Sequence, residues 1–266
     1  MAFVYGGLSK YLKSGKRLVL SLSKVIISHL NRIIIAFLNL DLLKSWKRVS
    51  CIITIVGGFQ FILLTFIAMI FYPGGYSFTG DYFSNLGTTV NVKTGSPNDI
   101  SRILFLIACV VVGVSLIPFW VVLTTLFKSK LTYHISIFGS SIGVASALFL
   151  MGVGIFTEDT QYSLHSTSAR MFFILIMIAI LTYSFVILLN SEYPNSYSFG
   201  GIVFSISSIV VLYIFRYSVL ISVIMQKIIV YGFCLWAVLQ ISKVWKEYGI
   251  PFNIKGLLGR FDKNLK

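Results

Sequence analysis

Six long stretches of the chain are almost continuously apolar: Cys51 to Tyr72, Ile103 to Phe127, Leu131 to Thr157, Met171 to Ser191, Phe199 to Phe215, and a run within Ser222 to Ser242. Each approaches or exceeds the roughly 20 residues a helix needs to cross a bilayer. None alternates apolar and polar residues as a membrane β-strand would. The pattern predicts an all-α fold, a polytopic membrane bundle of six transmembrane helices. A seventh segment, residues 18–43, is apolar-rich but broken by Lys24, His29, Arg32 and Asp41. Ser21, Lys24, Ser28, Asn31, Arg32 and Asn39 share one helical face, and Leu22, Ile26, Leu30, Ile33, Ile34 and Phe37 share the other. That amphipathic pattern predicts a helix lying in the membrane interface. No small-residue cleavage site follows a compact apolar core, so no cleavable signal is expected. The organisation read from the pattern is a basic arm with an amphipathic helix (residues 1–49), a six-helix domain (50–242) and a basic tail (243–266).

Composition sharpens this. Of 266 residues, 57% are hydrophobic and 11% charged, against about 25% charged in soluble domains. A soluble globule and a disordered chain are thereby excluded. The formal net charge is +14, and 17 of the 22 Lys and Arg residues fall in the arm, the tail and the pair Lys128 and Lys130. With an even number of spans, the positive-inside bias puts both termini in the cytoplasm of a protein integral to the cell membrane. Trp46 and Trp245 beside lysines fit aromatic anchors at the inner interface. The basic residues form no aromatic-interleaved patch, so nucleic acid is not an expected partner. Cys51, Cys109 and Cys234 lie far apart in apolar runs, without zinc or redox spacing. No metal and no cofactor is expected.

Candidate chemistry gathers in the outer loops. The first, from Phe71, places six aromatics within thirteen residues and interleaves or follows them with Gly80, Asp81, Ser84 and Asn85. Such a segment reads as an interfacial belt, as a short half-buried helix with Asp81 near its cap, or as a pocket mouth. The second outer loop holds Glu158, Asp159 and His165, with Arg170 at the start of the fourth helix and Ser166 or Thr167 available to cap it. Convergence of Asp81, Glu158, Asp159 and His165 would permit metal binding or acid–base chemistry. The alternative is loop solvation and an Asp–Arg or His–Asp brace, and no HExxH, HxxxH or GxSxG spacing is present. Tyr76, Asp81, Ser84, Asn85, His165, Arg170 and Lys227 are the ligand-binding candidates. Lys227 is expected to snorkel outward from a sixth helix beginning near Ser222. In the third helix Gly139 and Gly143, with five neighbouring Ser and Ala residues, predict a contact face and mark it as the central packed helix.

Tyr72-Pro73-Gly74-Gly75-Tyr76 and Ser84-Asn85-Leu86-Gly87, with Gly152 to Phe156, His165, Ala169 and Phe173, resemble motifs of a group of six-helix membrane proteins that includes prokaryotic families of unknown function, similar to the Frag/DRAM/Sfk type. The resemblance spans roughly residues 50–242, and Asn85 stands where that pattern carries Asp. It implies a membrane setting, with eukaryotic relatives tied to lipid organisation and autophagy. The expected function is non-enzymatic: binding or organising membrane lipids, or serving as partner to another membrane protein. The alternatives are a membrane-embedded hydrolase or metal site on the outer face, and a small-solute or ion transporter. A transporter would need buried ionisable groups and repeated halves, of which the sequence offers one lysine and no repeat.

Overall fold

A computed structural model of the protein describes residues 46–214 and 219–248. Their regular structure is helical: α1 (Trp46–Ile70), α2 (Asp99–Leu123), α3 (Lys130–Ile155), α4 (Tyr162–Leu188), α5 (Asn195–Ile214) and α6 (Val219–Glu247), with 3-10 turns at Phe83–Gly87 and Thr124–Leu126. Each of the six helices is long and apolar enough to cross a membrane. Large apolar side chains such as Phe59, Ile70, Phe199 and Leu235 point outward. In water they would form an unusually extensive exposed patch; lipid is the medium that covers them. The amphipathic segment at 18–43 and the tail beyond residue 248 lie outside the described residues.

Local chemistry sets the helix ends. Ser129 caps α3 by accepting the Thr132 N–H at 3.2 Å, filling one of the amide positions that a helix start leaves open. Pro73, followed by Gly74 and Gly75 at φ +75° and +87°, turns the chain after α1. α4 starts at Tyr162, nine residues before its apolar run, so Ser166 and Thr167 lie within the helix instead of capping it. The segment 162–170 is too polar to look transmembrane, yet it continues the helix out of the apolar layer.

α3 packs lengthwise against both α2 and α4, and α4 against α5. The small residues of α3 make this possible. A Cβ at Gly143 would sit 2.2 Å from Trp120 Cδ2, and one at Gly139 would sit 3.1 Å from Thr182 Cγ2 and 3.3 Å from the Tyr183 ring. The glycine stripe therefore serves contacts within the chain. Of the described helices α3 makes the most extensive contacts, with α2 on one side and α4 on the other, as its small residues predict. The large side chains of α2 are buried against it, and the small ones of α3 admit them. Phe119 and Trp120 of α2 meet Tyr183 of α4 and Phe233 and Trp236 of α6. The Ser140 hydroxyl bonds the Trp120 carbonyl at 2.6 Å and the Tyr183 hydroxyl at 2.5 Å. α1 joins at Gly57, whose missing Cβ leaves room for Ser115 of α2.

Candidate functional site

Residues 71–98 form a lid held by its own side chains. Asn91 accepts the Lys93 and Thr94 N–H groups at 2.7 and 2.9 Å and donates to the Pro73 carbonyl at 2.5 Å, tying the two ends of the loop. Asn98 donates to the Leu86 and Thr88 carbonyls at 3.2 and 3.0 Å. These bonds satisfy main-chain groups that a strandless loop would otherwise bury unpaired. The short helix expected in this loop is the 3-10 turn Phe83–Gly87. Its N-cap is Tyr82, not Asp81, and Tyr82 makes no side-chain cap bond. Ser84 is buried within the turn, and Asn85 contributes its carbonyl, which accepts the Thr88 hydroxyl at 2.8 Å.

Under the lid lies Lys227, 1% exposed. Because α6 begins by Val219, this lysine is more than two turns into the helix, and it does not snorkel to solvent. Its ammonium donates to the main-chain carbonyl of Asp81 at 2.6 Å and approaches that of Val223 at 3.4 Å. Three rings surround it, with centroids at 5.2 Å (Phe78), 5.5 Å (Tyr76) and 5.7 Å (Phe83). Aromatic faces present negative potential to a cation, and the attraction strengthens on desolvation. Tyr76 also donates its hydroxyl to the Asp81 carbonyl at 3.0 Å. Burial, and after it the Asp81 charge, hold the Tyr76 phenol above its ordinary pKa, so it remains a donor. Next along α6, Gln226 accepts the Phe83 N–H at 2.8 Å. The lid is thus fastened to α6 by two consecutive side chains.

Asp81 is 1% exposed, and its carboxylate is engaged on both oxygens. One oxygen accepts the Ser77 N–H at 2.7 Å; the other meets the Lys93 ammonium at 2.7 Å. Lys93 itself is 60% exposed. Asp81 therefore sits between a buried lysine that holds its carbonyl and a surface lysine that holds its carboxylate.

The other loop residues have separate tasks. Asp159 accepts the Thr89 N–H and hydroxyl at 2.7 and 2.5 Å, pinning the lid to the α3–α4 loop. Partial burial acts to raise its pKa, but the Thr89 bonds outweigh that and leave it below the ordinary carboxylate value. His165, buried, donates Nδ1–H to the Phe156 carbonyl at 2.7 Å and closes the end of α3 onto α4. Arg170 is exposed and bonds the Ser166 carbonyl one turn back. Glu158 has one carboxylate oxygen buried with no hydrogen-bond partner. Among the described residues, no three His, Cys, Asp or Glu side chains form a group able to hold a metal. Asp81 and His165, the pair on which the hydrolase reading depends, share no hydrogen bond and have different partners. Asp81, Glu158, Asp159 and His165 therefore do not form the cluster expected of them. Asp81, Asp159 and His165 are separate fasteners, each engaged by a loop backbone group, and Glu158 fastens nothing.

Lys93, Thr89, Gln226 and Asn98 are the site residues that sequence reasoning missed. Only Asn98 carried a signal, as a residue just before a helix. At the opposite end of the bundle the loops 126–129 and 189–192 flank a cavity of about 240 Å³. Comparison with protein-family models, curated proteins and solved structures yields no match.

Proposed function

We propose that this is a non-enzymatic protein of the cell membrane, with both termini cytoplasmic, that holds phospholipid headgroups at its lid. The observation that carries the reading is the Lys227–Asp81–Lys93 arrangement. It fixes a rigid aromatic surface at one end of the bundle and leaves one ammonium, that of Lys93, facing outward. In the same loop Phe78 and Phe71 are about half exposed. Exposed apolar rings and a cation on one loop match a phosphodiester above its acyl chains. Asp81, Asp159 and His165, three of the four residues that would serve acid–base chemistry, are engaged in holding loops, which favours a binding role over a hydrolytic one. The resemblance to the Frag/DRAM/Sfk group points to the same setting.

Native mass spectrometry of protein released from membranes tests this. The wild-type protein is expected to retain phospholipid, and a Lys93→Ala/Phe78→Ala variant of unchanged thermal stability to retain less. Equal phospholipid retention by both, or none by the wild type, overturns the proposal. Reporter fusions at each terminus test sidedness separately.

A further inference from the structure

The cavity of about 240 Å³ at the end of the bundle away from the lid is flanked by loops 126–129 and 189–192. A single buried water needs only ~10–15 Å³, so this space admits a larger occupant. It lies where α2 and α4 end and α3 begins. α3 has 26 residues and α4 has 27, about 40 Å of helix each, against a hydrocarbon core of about 30 Å. The ends of such helices project beyond the hydrocarbon into the headgroup layer.

The cavity lining pairs one cation with one anion, Lys128 and Glu192, and adds Asn190 and Ser191. Glu192 repeats the arrangement at Asp81 with one part missing. At the lid, a lysine of α6 holds the Asp81 carbonyl beside aromatic rings, and the Asp81 carboxylate takes a second cation, Lys93. At this end, Lys243 of α6 donates to the Glu192 carbonyl at 3.1 Å and lies 5.1 Å from the Tyr193 ring centroid. The Glu192 carboxylate, however, has no ion pair among the described residues. Lys128 is lightly held: its contact with Glu247 is 3.4 Å, and its side chain is 71% exposed. A charge-assisted N–H···O bond is normally about 2.7–2.9 Å. The Asn190 side-chain oxygen accepts the Glu192 N–H at 3.2 Å, which leaves the amide N–H₂ to donate.

A ligand that completes both charges carries an anion and a cation on one short frame. A plain anion attracted to Lys128 is repelled by Glu192, and a plain cation meets the reverse. A phosphodiester with a primary amine satisfies both. Its phosphate oxygens accept from Lys128, Asn190 and Ser191, and its ammonium donates to Glu192. Leu126 and Leu189 also line the cavity, and Leu189 is 57% exposed, which offers apolar surface to the glycerol and acyl chains of a lipid. We propose that this cavity binds a phosphodiester bearing a primary amine, the headgroup of phosphatidylethanolamine. The proposal does not rest on the lid reading.

The test is native mass spectrometry of the delipidated full-length protein, titrated with phosphatidylethanolamine or phosphatidylglycerol of equal chain length. It is run in the Lys93→Ala/Phe78→Ala background, so that failure of the lid reading leaves the result untouched. Phosphatidylethanolamine is expected to bind at least threefold more tightly than phosphatidylglycerol. Glu192→Gln, which keeps the carbonyl for Lys243, should abolish that preference by weakening phosphatidylethanolamine alone, and Lys128→Gln should weaken both lipids. Soluble glycerophosphoethanolamine separates the two sources of this chemistry: weaker binding than the lipid supports a membrane occupant, and equal binding supports the site with a soluble one. Equal affinity for the two lipids, or a preference that survives Glu192→Gln, overturns the proposal.

Discussion

The sharpest prediction concerns the unequal weight of the two partners at the lid. Lys227→Met removes an ammonium but orphans nothing. The Asp81 carbonyl keeps the Tyr76 hydroxyl at 3.0 Å, and the Asp81 carboxylate keeps Ser77 and Lys93. The loss is one charge-assisted hydrogen bond, about 1.5–3 kcal/mol, plus cation–π attraction of about 1–2 kcal/mol. Against it stands relief from burying an ion, a penalty of several kcal/mol in real proteins. The two sides nearly cancel, so the variant should lie within about 1 kcal/mol of wild type. Asp81→Asn behaves differently. It keeps the carbonyl that holds Lys227 but replaces the nearest carboxylate with a neutral amide, and losing one charged interaction near a buried ion costs about 1–3 kcal/mol. In the Lys227→Met background the same change removes only the pair with exposed Lys93, worth about 0–1 kcal/mol. A double-mutant cycle by equilibrium unfolding in mixed micelles should therefore show coupling of about 1 kcal/mol or more. At about 2–4 °C per kcal/mol, the single Asp81→Asn variant should melt roughly 2–12 °C lower. Equal costs of Asp81→Asn in the two backgrounds would refute the account of the lid as an electrostatic clasp.

Other outcomes follow from the packing. Gly143→Ala drives a methyl into the Trp120 ring and should lower stability by at least ~1–3 kcal/mol. Gly58→Ala meets open space on the same kind of helix and should raise stability by up to ~1 kcal/mol, read in the same unfolding assay. Tyr193→Phe leaves the Gln240 oxygen buried and unpaired, with an expected cost of about 1–3 kcal/mol. Asp159 has a depressed pKa, so the lid–loop staple is fully present above the unfolded value of 3.8 and lost as pH falls through the lower folded value. The protection factor of the Thr89 amide, its exchange rate relative to the unprotected amide at the same pH, should fall on acidification below about pH 4, and Asp159→Asn should remove that pH dependence.

The six spans were legible because a bilayer imposes length and composition on each helix independently of its neighbours. The extension of α4 back to Tyr162 was not, since residues 162–170 carry serine, threonine, histidine and arginine in place of an apolar run. Gly139 and Gly143 announced a contact face, yet nothing in their spacing says that the occupant is the Trp120 ring. The aromatics of the first loop were visible, but their division was not: Phe83 is buried in the lid and Phe71 points out. The depth of Lys227 was hidden for a specific reason. Its main acceptor is a peptide carbonyl 146 residues away, and any residue type at position 81 would supply one.

That last point bears on how an ionisable group inside a membrane protein is to be weighed. A lone lysine in an apolar helix invites a search for a carboxylate partner and, failing that, a transport pathway. Here the nearest carboxylate belongs to the residue whose carbonyl the lysine binds, and that carboxylate is turned to a second lysine at the surface. The charge is balanced through one residue's two ends. Such an arrangement stabilises a fixed loop, because moving Asp81 would take the carbonyl from Lys227 and the carboxylate from Lys93 at once. It is ill suited to a carrier, which must release and rebind its ion with little penalty. The same geometry explains why the lid can be rich in glycine and lack strands yet hold its aromatic rings in place: buried polar bonds to α6 and to the α3–α4 loop substitute for the sheet ladder that it does not have.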